Sequence, residues 1–200
     1  MTAWGADIQL YFYGVWRLMT GRPDGLRLLD ISVDGFWNSF FAILVALPAL
    51  LISWLTFANE AEALMLLPGS RFEILARLVI SGVGSWIIPL VGLGVVAPYV
   101  RIADRYVHYV VATNWATALV AWMMLPPTLL QIFFPHLEEI ATLLSLVIFF
   151  VTLFLSWRVT VVAIGKGPAL GTGVFFAMVV ASTAILLLLQ SMLGVQIDGL

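Results

Sequence analysis

The chain contains no cysteine, and its charge is sparse. Without cysteine there is no disulfide, no thiolate nucleophile and no cysteine-based metal site. Asp, Glu, Lys and Arg together make up 10% of the 200 residues. A soluble domain carries about 25%, so there is too little charge here to cover a water-facing surface. A basic excess is also missing: nine Lys and Arg against eleven Asp and Glu leave a net charge of −2. That offers nucleic acid no positive field. No phosphate loop, serine elbow or zinc-protease pattern occurs. The segment before Leu18 has no basic n-region and its apolar stretch is broken by Gly14, so it does not read as a signal peptide. The chain is expected to be non-enzymatic, with no cofactor and no metal.

What is abundant is apolar sequence. Hydrophobic residues make up 62%, and the mean hydropathy is +1.09. Five stretches, 36–57, 78–100, 108–134, 137–164 and 168–195, are each long enough to cross a hydrocarbon core of ~30 Å. Charges or Gly and Pro bound each of them. No period-2 alternation persists, which excludes a barrel. The sequence therefore predicts an all-α integral membrane protein, with a five-helix transmembrane domain over 36–200. Residues 1–35 form a cytoplasmic or interfacial N-terminal segment. Only Phe134-Pro135-His136 separates the third and fourth spans, so these read as a tight hairpin.

Lys and Arg set the orientation. Arg17, Arg22, Arg27, Arg101, Arg105, Arg158 and Lys166 fall on one side, and only Arg71 and Arg77 on the other. Seven against two predicts a cytoplasmic N-terminus and a C-terminus outside. His108 and His136 then lie on opposite sides, too far apart to share a metal. In the N-terminal segment, Ile8, Tyr11, Phe12, Val15, Trp16 and Met19 share one helical face. This predicts an amphipathic interfacial helix anchored by Tyr11, Phe12, Trp16 and Arg17. Residues 20–25 read as a turn, and 26–35 and 59–77 as further pieces lying on the membrane surface.

An ionisable group inside a membrane is costly and marks a candidate site. The span middles contain no Asp, Glu, Lys or His. Arg158 is the nearest candidate, either as an interface anchor or hydrogen-bonder, or as part of an ion or substrate site. Asn114 is the main amide within a span, read as an interhelical tie or as a transport residue. Pro89, among Gly82, Gly84, Gly92 and Gly94, reads as a kink or as the broken helix of a transporter. Small residues recur four apart in Ser81-xxx-Ser85, Ala112-xxx-Ala116, Gly167-xxx-Gly171 and Ala177-xxx-Ala181. They predict close helix packing, either within the chain or against another chain. The mixed-sign cluster of Arg22, Asp24, Arg27, Asp30, Asp34, Arg101, Asp104 and Arg105 reads as an ion-pair network or a docking surface.

The end of the fourth span reads Leu155-Ser-Trp157-Arg158-Val-Thr-Val-Val-Ala163, followed by Gly165-Lys166-Gly167-Pro168-Ala169-Leu170. A Trp-containing fourth span, a short basic loop and an Ala-Leu pair opening the fifth resemble the Yip1-domain membrane proteins, particularly their bacterial members. The resemblance covers roughly 36–193. The Asp-Leu-Tyr-Gly-Pro motif of the eukaryotic members is absent. The resemblance implies a non-enzymatic protein that acts through helix packing and protein contacts in a bacterial inner membrane.

Two expectations follow. The leading one is a membrane interaction or scaffold protein, or an accessory subunit of a membrane complex. Its partners are the lipid bilayer and another membrane protein or a second copy, through faces such as Gly167, Gly171, Ala177 and Ala181. The alternative is a small transporter or channel, with a site near Asn114, Arg158 and the Pro89 break. Lining of a wet cavity by Asn114 and Arg158 favours the second; pairing of both, without a cavity, favours the first.

Overall fold

A computed structural model describes residues 3–195, with side chains from Asp7 onward. Residues 1–2 of the N-terminal segment, and residues 196–200 with the expected outward C-terminus, lie outside the described residues. Among the described residues the protein is 84% helical and has no strand. Eight α-helices occur in chain order: α1 Ala3–Met19, α2 Val33–Asn38, α3 Phe41–Ala63, α4 Arg71–Val96, α5 Tyr106–Met123, α6 Leu125–Phe133, α7 Glu138–Ile164 and α8 Pro168–Met192. Together they make five stretches long and apolar enough to span a membrane, Val33–Ala63, Arg71–Val96, Ala103–Phe133, Pro135–Ile164 and Pro168–Met192.

Two of the expected boundaries need correction. The stretch 59–77 does not form a separate surface piece. Asn59-Glu60-Ala-Glu62-Ala63 extends α3, and α4 starts at Arg71 instead of 78 because Ser70 and Glu73 form a capping box. Only 64–70 turns. At the other end α4 stops at Val96, two residues before Pro98, which disfavours helix in the residue ahead of it. The second correction concerns only the broken-helix reading of Pro89: α4 runs through it without interruption, which leaves the kink reading untouched. A proline removes one backbone donor, and the surrounding turns hold the helix together. The third span, by contrast, does divide. α5 ends at Met123, and α6 begins just ahead of Pro126-Pro127, where their fixed φ suits a first turn.

The five spans close into a ring. α3 packs on α4, α4 on α8, α8 on α7, α7 on α5, and α5 back on α3, while α6 bridges α3 and α7. The backbones of pairs across the ring, such as α4 with α5 or α3 with α8, make at most marginal contact, though Trp86 and Tyr106 bridge α4 and α5 through their side chains. The α7–α8 hairpin is held close because residue 171 is glycine: a Cβ there would lie 2.7 Å from the Val161 Cα. Trp157 Nε1 also donates to Thr172 Oγ1 at 2.9 Å within the same hairpin.

The basic residues gather at one end of the ring, termed the basic end. There α1 packs on α5 and α7, burying Val15, Leu18 and Met19 against Val111, Val159 and Ala163. The chain reverses at Gly21, whose φ of +80° suits glycine. It then returns through a 3-10 helix, Pro23–Leu28. Arg17 pairs with Asp24 across this turn. The Arg17 guanidinium holds the Asp24 carboxyl below the usual carboxylate range.

Candidate functional site

The centre of the ring is hollow. A cleft of about 730 Å³ lies between α3, α4, α5, α7 and α8, within the ~300–1,000 Å³ range of small-molecule sites. Each of the five helices turns hydroxyls toward it: Ser53 on α3, Ser81 and Ser85 on α4, Thr113 and Thr117 on α5, Ser156 and Thr160 on α7, Ser182 and Thr183 on α8. Tyr109 and Gln190 add a phenol and an amide, and Trp54, Trp86, Phe57 and Phe175 add aromatic walls. Among the described residues, no Asp, Glu, Lys, Arg or His lines it. Along α8 the lining runs from Phe175 to Gln190, about 22 Å at a 1.5 Å rise per residue, which is most of a hydrocarbon core.

Five of the nine hydroxyls donate to carbonyls of their own helices. Ser81 Oγ donates to the Leu78 carbonyl at 3.1 Å, Ser85 to Gly82 at 2.9 Å, Thr113 to Tyr109 at 2.7 Å and Thr160 to Ser156 at 3.0 Å. Such back-bonding satisfies the donor and leaves the oxygen lone pairs as acceptors. The chamber thus offers a mostly apolar, uncharged wall with hydroxyl acceptors set into it, which suits a neutral solute that brings N–H or O–H donors. An isolated ion would find no counter-charge there, and burying one unpaired is costly.

Asn114 and Arg158 are both paired, and neither lines the chamber. Asn114, fully buried, ties three elements together. Its Oδ1 accepts from Trp86 Nε1 of α4 at 3.0 Å, and its Nδ2 donates to Ser39 Oγ, just ahead of α3, at 2.9 Å. Ser39 in turn donates to the Phe36 carbonyl at 2.7 Å. Half-buried Arg158 donates through Nη2 to the Thr20 carbonyl at 3.1 Å and stands 6.0 Å from the Phe154 ring centroid.

The other expected residues separate. Gly171 is buried in the α7–α8 contact, whereas Gly167 is exposed in the turn before it. Ala177 faces outward and Ala181 is half-buried. Ala112, Ala116 and Ser81 are buried in the bundle, and Ala116, Ser81 and Ser85 also border the chamber. Among the expected interfacial anchors, Tyr11 and Phe12 pack on Trp115, with ring centroids 4.9 and 6.1 Å away. Arg17 is taken by Asp24 and Tyr13, and Trp16 is about half exposed. The structure brings Gly171 into the Trp157–Thr172 hairpin but leaves the Gly/Ala positions without a common face.

Reading the sequence for charge and small-residue pairs missed the chamber. Its signal is present as hydroxyl pairs four apart on three different spans, Ser81/Ser85, Thr113/Thr117 and Ser156/Thr160. Each pair marks one helical face. The three faces are seen to converge only once the ring is closed. Comparison with known proteins adds no relative: no family model fits the chain, and no curated protein or solved structure matches it.

Proposed function

We propose that this integral membrane protein is a small, non-enzymatic solute carrier, whose central chamber takes an uncharged solute rich in hydrogen-bond donors. The observation that carries this reading is the ring of nine Ser and Thr side chains around an open centre, with no ionisable acid or base beside the Tyr109 phenol. A scaffold has no use for a hollow, hydroxyl-lined core, since packing would fill it with apolar side chains. The transport site of this reading is the chamber itself. Asn114 and Arg158 act as ties that hold its walls. The excess of Lys and Arg at the basic end supports a cytoplasmic location for that end, and the resemblance of the α7–α8 hairpin to bacterial Yip1-domain proteins supports an inner-membrane location. In that orientation α1 lies at the cytoplasmic interface.

Ligand-induced stabilisation tests the reading. A solute that binds the folded state raises stability by RT ln(1 + [L]/Kd), about 2.7 kcal/mol at a hundredfold excess over Kd. The purified protein is heated with a panel of polyols, ureas and neutral amides. At least one should raise the unfolding temperature of the wild type but not that of Thr113→Phe, which fills the chamber. A panel that leaves the wild type unmoved overturns the reading.

Association through the outward face of α8 is the second reading. Exposed Ala177, beside the open space at Gly173, favours it.

A further inference from the structure

Three of the four span-to-span connections join neighbours in the ring, and one does not. The backbones of α4 and α5 are not close-packed, although long side chains bridge them, Trp86 to Asn114 and the Tyr106 hydroxyl to the Leu90 carbonyl, so residues 97–105, which link the two helices, cross the basic end of the ring. This crossing strap is folded tightly, with Ile102 N–H donating to the Ala97 carbonyl at 2.9 Å. Ile102 and Ala97 are fully buried. They join a cluster with Leu90, Tyr109, Ile164 and Val174, and two of these, Leu90 and Tyr109, also line the chamber. Ile102 therefore belongs to the cluster that backs the chamber wall at Leu90 and Tyr109.

Two features show how the strap is held there. Arg101, immediately before Ile102, has a φ of +59°, a left-handed conformation that costs an L residue with a Cβ. Lys166, in the α7–α8 turn, reaches across and donates through Nζ to the Arg101 carbonyl and to Asp104 Oδ1, both at 2.5 Å. A strained backbone persists only where its surroundings over-determine it. Here the surroundings are the exposed Lys166 ammonium, buried Ile102 and Ala97, and the two backbone bonds of a left-handed helix cap, Ile102 N–H to the Ala97 carbonyl and Arg101 N–H to the Pro98 carbonyl at 3.2 Å. The ion pair is solvent-accessible, so salt screens it.

We propose that strap 97–105 is the gate of the chamber at its basic end, with Ile102 as plug and Lys166 as latch. Release of Lys166 detaches the strap from the α7–α8 turn, and its movement away from the ring withdraws Ile102 from the cluster. This rests on the carrier reading, but its test needs no solute.

The absence of cysteine makes the test direct. A single cysteine, Thr113→Cys, is placed in the chamber wall, and the protein is reconstituted in vesicles. The rate of modification by a small membrane-impermeant methanethiosulfonate is then measured from each side. With the latch intact, attack from the basic-end side is slow. Lys166→Ala and Ile102→Ala should each raise that rate at least tenfold from that side alone, and Lys166→Arg should leave it low. Molar salt should act like Lys166→Ala. If Lys166→Ala fails to fold, Asp104→Asn supplies the same comparison. A rate indifferent to Lys166 and Ile102, or one raised equally from both sides, overturns the gate. Should the solute panel fail while the one-sided acceleration appears, the carrier reading falls and the gate stands.

Discussion

Arg158 of α7 and Thr20 at the end of α1 are 138 residues apart, yet the guanidinium donates to the Thr20 carbonyl at 3.1 Å. The contact exists because the next residue, Gly21, has no side chain. A Cβ there would occupy the space of the Arg158 guanidinium, and its φ of +80° is one that other residues adopt only at a cost. One glycine thus lets a charged side chain end its reach on the N-terminal segment. Gly21→Ala should cost about 1–2 kcal/mol from the left-handed backbone alone and should release α1 from α7. Hydrogen exchange read over 8–28 should then rise, while exchange in α8 stays as in the wild type. Unchanged protection of α1 would contradict this account of the turn.

Asn114 is the buried tie between Trp86 and Ser39. Asn114→Ala leaves an indole N–H without its acceptor and a hydroxyl without its donor, so a loss of about 1–3 kcal/mol is expected in reversible unfolding. Because Asn114 does not line the chamber, solute binding by the folded fraction should persist. Loss of binding with stability intact would return Asn114 to the site.

Gly171 and Ala177 belong to similar small-residue pairs in sequence, and the structure gives them opposite roles. Gly171→Leu must displace the Val161 backbone and should destabilise by about 1–3 kcal/mol. Ala177→Leu adds a side chain to an exposed position and should stay within about 0.5 kcal/mol. Loss of a defined oligomer in Ala177→Leu would favour the second functional reading.

The Arg17–Asp24 pair makes the N-terminal turn sensitive to acid. Because the Asp24 carboxyl is held below its ordinary range in the folded state, its stabilising contribution is complete above the unfolded value. That contribution disappears as pH falls through the folded one. Protection of the 20–28 turn against proteolysis should therefore drop in that acidic window, and Asp24→Asn should abolish the dependence.

The spans were legible because length and hydropathy alone decide whether a helix crosses a membrane. The capping box at Ser70 and Glu73 was equally available in the sequence and fixes the start of α4 seven residues ahead of the apolar edge. Asn114 as an interhelical tie was also within reach, since a buried amide must find partners. The chamber was not. Ser81 and Ser85 look like a packing pair in one dimension. Whether they meet another helix or open space depends on ring closure, a long-range property that no local window contains. The strap was hidden for the same reason: 97–105 reads as an ordinary loop until the backbones of α4 and α5 prove not to be close-packed.

Solute flux is the most direct measure of the central claim. Proteoliposomes are shifted into hyperosmotic solutions of glycerol, erythritol or urea, and light scattering follows their recovery of volume. The carrier account predicts faster recovery than in protein-free vesicles for at least one of these solutes, with Thr113→Phe and Ser156→Phe, folded by thermal unfolding, returning it to the protein-free rate. Equal rates with and without protein, for every neutral solute and with Lys166→Ala in place to open the strap, would contradict it.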